Sequence, residues 1–110
     1  MRVLLVLAFV LLASPALSAC GTASFYAHAH HGRTMANGEK FNMHAMTAAM
    51  WGVPFGTKYR VTHNDKSVVV TITDRGPAKR LNRIIDLSYA AAKKLGFINA
   101  GLAKVCLTRL

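Results

Sequence analysis

The regular segments of this chain are short, and that limits what it can fold into more than any other feature. Brief alternating or β-branched runs are each cut off by a turn signal. Gly21–Ala27 reads as a first strand, followed by a polar loop through a histidine cluster to Asn37-Gly38, a strong tight-turn pair. Asn42 is placed to cap a short helix over His44–Met50, an Ala- and Met-rich stretch. Thr57–His63 and Ser67–Thr73 read as two strands joined by the turn Asn64-Asp65-Lys66, with Asp65 solvated. Ile84–Leu87 reads as a short buried strand. Ser88 caps a helix over Tyr89–Leu95, Gly96 ends it, and Ala103–Leu110 is the closing strand. Many short strands and two small helices predict an all-β domain closed into a compact barrel.

The first residues read differently. Arg2 is a minimal positive region, Val3–Leu12 is apolar, and Ala13-Ser14-Pro15-Ala16-Leu17-Ser18-Ala19 is rich in small residues. Residues 1–19 therefore read as an export signal and 20–110 as one periplasmic or secreted domain. The apolar run is too short to span a bilayer. What remains, roughly ninety residues, can form one core but is marginal without a staple. Cys20 and Cys106 lie at its two ends. Leu17-Ser18-Ala19-Cys20 fits a lipobox, which would make Cys20 a membrane anchor, and ordinary cleavage leaving Cys20 free fits equally. Two details favour a Cys20–Cys106 disulfide: Cys20 runs straight into a predicted strand with no tether, and lipidation would strand Cys106 as an odd thiol.

Formal charge is +10, and without Arg2 thirteen basic residues face four acidic ones. Nucleic acid, anionic lipid and anionic wall polymers all suit such a charge, as does simple solubility. Export argues against nucleic acid, and so does the lack of an aromatic-interleaved basic stripe. The acids are Glu39, Asp65, Asp74 and Asp86. In a chain this basic, an acid kept for proton transfer needs a sheltered, partly apolar pocket.

Several blocks follow in order: Gly21-Thr22-Ala23-Ser24-Phe25-Tyr26, His31-Gly32-Arg33, Ala36-Asn37-Gly38-Glu39, Thr47-Ala48-Ala49, Pro54-Phe55-Gly56-Thr57, Asp74-Arg75-Gly76-Pro77 and Ile84-Ile85-Asp86-Leu87-Ser88. Together they resemble the rare-lipoprotein-A (RlpA) family of bacterial wall proteins over essentially all of residues 21–108. The resemblance implies a six-stranded double-psi β-barrel, a monomer without cofactor or metal, acting on peptidoglycan glycan strands. It also implies lytic transglycosylase activity, which cuts the β-1,4 link after N-acetylmuramic acid and leaves a 1,6-anhydro end. The sugar's own 6-hydroxyl is the nucleophile in that reaction, so one carboxyl can serve as acid and then base. By resemblance Glu39 and Asp74 hold the key carboxylate positions. Asp86 matches an aspartate of the related expansin-like barrels. Substrate contacts are expected from Tyr26, Arg33, Asn37, Trp51 and Arg75, with Phe25 and Tyr59 as further aromatic candidates.

Each residue also has a plainer reading. Glu39 can be a surface carboxylate paired with Lys40, and Asp74 can simply hold its Gly-Pro loop through backbone bonds. Met50 stands where the family has histidine, and Met35 where threonine is usual. Neither thioether titrates, so a non-catalytic wall-binding module and an expansin-like loosening protein are the rival readings. His28 and His30 would share a side of an extended segment, as a metal pair needs. No Glu or Cys ligand lies nearby, however, and His31 belongs to the His-Gly-Arg turn.

Overall fold

The computed structural model describes residues 18–110. The expected leader lies outside them, apart from Ser18 and Ala19. Six strands close into a barrel: β1 (Ser18–Tyr26), β2 (Thr47–Ala49), β3 (Lys58–His63), β4 (Lys66–Asp74), β5 (Ile85–Ser88) and β6 (Ala103–Arg109). Around the barrel the order is β1-β5-β2-β4-β3-β6. The β1–β5 and β2–β4 pairs are parallel, and the other neighbours are antiparallel. Among the described residues one regular helix, α1 (Tyr89–Leu95), joins short 3₁₀ turns at His28–His30 and Lys79–Leu81. Ser88 Oγ caps α1 by accepting from Ala91 N, and Gly96 ends it with a left-handed φ of 89°.

Strict alternation fills the barrel. Val68, Val70 and Ile72 of β4 and Ala103, Val105 and Leu107 of β6 point inward, where they meet Ala23, Val61, Ile85 and Leu87. Ala91, Ala92 and Leu95 of α1 and Phe97 pack against the same core. Each large aliphatic side chain buried there contributes roughly 1.5–3 kcal/mol. Gly21 is required by this packing, because a Cβ would sit 2.8 Å from Ile84 Cγ2.

The opposite faces of β1 and β2 carry a second, smaller core. Tyr26 and Ala49 meet Met35, Phe41 and Met43 from the long connection after β1. That connection lies over the outside of the barrel, and the gap along its edge becomes the candidate site.

Two local expectations fail. The helix over His44–Met50 is absent. Asn42 Oδ1 does accept from His44 N at 2.9 Å, as a cap would. The chain then turns, and Thr47–Ala49 enters the sheet between β4 and β5. Ladder bonds on both edges and complete burial of Ala48 outweigh the helix preference of alanine. His28–His30 is a tight 3₁₀ turn, not an extended segment. His28 faces Tyr89 (6.1 Å between ring centres) while His30 packs edge-on against Tyr26 (5.4 Å), so the two imidazoles do not share a side.

Cys20 and Cys106 stand opposite each other on β1 and β6 and are joined in a disulfide. The bond uses the Cys20 sulfur that a lipid anchor would also need.

Candidate functional site

Asp74 ends β4 and organises the loop above it. Its Oδ1 accepts from Ala36 N (2.9 Å) and Arg75 N (2.8 Å), while its carbonyl accepts from Met50 N (3.1 Å). Asn37 N adds a bond to Thr73 O at 3.3 Å, so the Asn-Gly turn is docked on the end of β4. Gly38, at φ 93°, supplies the left-handed residue that the turn requires. Glu39 follows at the exposed rim. Asn37 holds it from both sides: Oδ1 accepts from Glu39 N (2.9 Å), and Nδ2 donates to Oε1 (3.2 Å). Lys40 donates instead to Thr34 Oγ1.

Asp86 sits on the outer face of β5, paired in register with Ser24 of β1, whose hydroxyl donates to Oδ1 at 3.0 Å. Burial pushes its carboxyl above the ordinary carboxylate range. The Ser24 bond, His30 and Arg83 pull it back, and the charge of Asp74 adds to the rise. Tyr26, two residues beyond Ser24 on the same face, is 8% exposed, and its hydroxyl has no protein partner. Burial, then the charges of Asp74 and Asp86, drive its ionisation far upward, so it is a neutral donor. A cleft of about 220 Å³ is lined by Tyr26, His30, Arg33, Met35, Phe41 and Asp74, among others. Phe41 stacks on Tyr26 at 4.3 Å and stiffens that wall.

Among the sequence candidates, Asp74, Tyr26 and Arg33 thus share the cleft, with Asp86 electrostatically coupled to it and Asn37 and Glu39 at its rim. Trp51 and Arg75 form a separate group. Trp51 is 46% exposed, with Nε1 donating to Pro77 O at 2.6 Å and the Lys79 ammonium 5.0 Å from its ring. Arg75 donates to Met50 O and lies 4.0 Å over the Phe55 ring, so its guanidinium serves the loop. Phe25 and Tyr59 pack in the barrel core. Met50 packs against that core, and Met35 is buried and takes the Thr73 hydroxyl on its sulfur at 3.3 Å. Ser24 and Phe41 were not singled out as site residues from the sequence, and His30 was singled out only as half of a metal pair with His28. The one signal for Ser24 was its shared alternation with Tyr26, and that becomes useful only once β1 is known to pair with β5.

The profile of the lytic transglycolase family matches residues 18–107. Over 87 residues the chain is 49% identical to the endolytic peptidoglycan transglycosylase RlpA of Pseudomonas aeruginosa, covering 77% of this chain and 25% of that protein. Over 93 residues it is 54% identical to a probable endolytic peptidoglycan transglycosylase RlpA of a Nostoc species, covering 81% and 25%. The chain therefore spans about a quarter of the length of these relatives. Among solved structures, the apo expansin of Clavibacter michiganensis shares the fold at a TM-score of 0.69 and 23% identity, over 86% of this chain and 50% of that one. With one family profile running along nearly all the described residues of a closed six-stranded barrel, the chain belongs to the lytic transglycolase family, as the double-psi β-barrel domain that it shares with the RlpA proteins.

Proposed function

We propose that this domain acts outside the cytoplasm on peptidoglycan glycan strands, as a lytic transglycosylase that leaves a 1,6-anhydro end. The activity printed for its relatives supports the substrate class. The disulfide fits an oxidising compartment. One observation carries the reaction type: Asp86, whose carboxyl burial raises above the ordinary carboxylate range, is coupled through its charge to Asp74 and Tyr26, which line an open cleft.

Protonated Asp86 is suited to give its proton to the glycosidic oxygen as the bond to the anomeric carbon breaks, the electron pair leaving with that oxygen. Asp74 is suited to face the positive charge that develops there, and Tyr26 to hold a sugar oxygen. The Asp86 carboxylate then takes the proton from the sugar's 6-hydroxyl as that oxygen closes on the anomeric carbon. Acid and base are thus one group, restored at the end. Glu39 at the rim and exposed Trp51 extend the contact surface along the strand. His30 is the histidine on the cleft wall, available to orient these groups where Met50 offers no titrating side chain.

The second reading is a wall-binding module without catalysis. Met50 favours it, because this position packs into the core and carries no proton. Mass spectrometry of muropeptides after incubation of sacculi with purified protein separates the two. Anhydro-muropeptides support the enzyme. Sacculus binding with no such product under any condition leaves only the module.

A further inference from the structure

We propose that the Cys20–Cys106 bond is a thiol–disulfide exchange site on the outside of the folded barrel, where a dithiol's thiolate attacks the Cys20 sulfur and Cys106 leaves. The site shares no lining residue with the cleft and is independent of the peptidoglycan reading. Strand register places it. Cys20, Cys106 and Thr62 form one row across β1, β6 and β3, and Ser18, Thr108 and Arg60 form the next. Val105 and Leu107 point into the barrel, so alternation turns Lys104, Cys106 and Thr108 outward. A hollow of about 310 Å³ opens over the bond, lined by both cysteines, Thr62, Asn64 and Lys104, among others.

The two sulfurs are not equivalent. Cys20 is an exposed residue and Cys106 a half-buried one, so an incoming thiolate meets Cys20 first. Cys106 has the cations. Lys104 precedes it by two residues on the same face, roughly 7 Å away along the strand. Arg60 stands one row away on the neighbouring strand, and no carboxylate lines the hollow. Positive charge beside a departing sulfur stabilises it as the thiolate and speeds its departure. Scattered surface cations serve solubility by themselves. That effect does not set two of them around the less accessible sulfur while the other faces an open hollow.

The exchange balances in two steps. A thiolate of the dithiol bonds to Cys20 Sγ, the Cys20–Cys106 bond breaks, and its electron pair leaves on Cys106. The dithiol's second thiolate then attacks its own sulfur in the mixed disulfide and frees Cys20. Two electrons have passed to the domain, the two protons of the dithiol go to the cysteines, and the dithiol ends as a disulfide. The reverse sequence closes the bond. Because the β1–β6 ladder holds the two cysteines opposite each other, closure by an oxidised partner can act on the folded domain.

The test is reduction of the folded, disulfide-bonded protein by dithiothreitol, with free thiols alkylated and counted by mass. Below the unfolding transition the rate should stay flat as urea is added. A rate that climbs with urea from the start would mean that the bond opens only on unfolding, and would overturn the proposal. After brief exposure to glutathione and an acid quench, peptide mapping should find the adduct on Cys20 at least about tenfold more often than on Cys106. Equal labelling, or a preference for Cys106, would overturn the assigned direction. Arg60→Gln with Lys104→Gln should slow reduction roughly three- to tenfold. Lys93→Gln with Lys94→Gln, an equal charge loss at exposed positions of α1, should change it less than about twofold. Equal slowing by both pairs would reduce the effect to bulk charge. A thioredoxin-type dithiol protein tried beside dithiothreitol identifies the source: reduction by both opens the site to protein partners, and reduction by dithiothreitol alone assigns it to small thiols.

Discussion

Asp86 is where burial and chemistry meet at the scale of one residue. Its folded-state carboxyl is raised above the unfolded value of 3.8. The folded protein thus holds that proton more tightly than the unfolded chain does. The resulting stabilisation is complete below the unfolded value and is lost as pH rises through the raised one. Asp86→Asn removes the titration while keeping an oxygen to accept from Ser24. The variant should melt higher than wild type at neutral pH, with the gain shrinking toward pH 4, as differential scanning calorimetry would show. Its anhydro-muropeptide yield should fall on the order of 10²- to 10⁴-fold. A variant that keeps its activity would remove Asp86 from the proton path. Met50→His is the complementary change, because the resembled family has histidine at this position and Met50 N bonds to the Asp74 carbonyl. Anhydro yield should rise, by up to about tenfold. No rise would mean that this position does not limit the reaction.

The element that shapes the site is the long connection from β1 to β2, held down by few bonds. Asp74 Oδ1 carries two of them, to Ala36 N and Arg75 N. Asp74→Ala leaves both donors without that acceptor, a loss of about 1–3 kcal/mol where they are shielded from water. Hydrogen exchange at Ala36 and Arg75 should accelerate, and the melting temperature should drop. Asp74→Asn keeps the amide oxygen and should change both far less while still losing the charge proposed to face the sugar. Equal exchange in the two variants would show that the loop is anchored elsewhere, through Met35 and Phe41 in the outer core.

For the whole molecule, the Cys20–Cys106 bond closes a loop spanning a sequence separation of 86 between the first and last strands. In the chain-entropy model such a closure contributes on the order of 4–5 kcal/mol, a large share of a small domain's stability. Reduction, or a double Cys→Ser variant, should lower the melting temperature by roughly 15 °C or more. A shift of only a degree or two would mean that the β1–β6 ladder holds the ends together without the bond.

Signals that act over a few residues were legible in the chain itself. The alternation of β4 and β6, the Ser88 cap, the Gly96 stop and the Asn37-Gly38 turn depend on local sterics and hydrogen bonding, and the structure contains each of them. The ordered blocks were likewise enough to identify the family and its barrel. Tertiary structure decided what depends on distant partners. Thr47–Ala49 became a strand because β4 and β5 offer it ladder bonds on both edges. Asp86 acquired its raised carboxyl because the fold buries it, against the opposing pull of the Ser24 hydroxyl that the parallel β1–β5 pair brings from some sixty positions earlier in the chain. A hollow of about 660 Å³ likewise draws His28, His44, Lys93 and Lys94 from segments far apart in sequence. Desolvation and pocket shape are set by whatever packs nearby, and no local pattern of residue types encodes that.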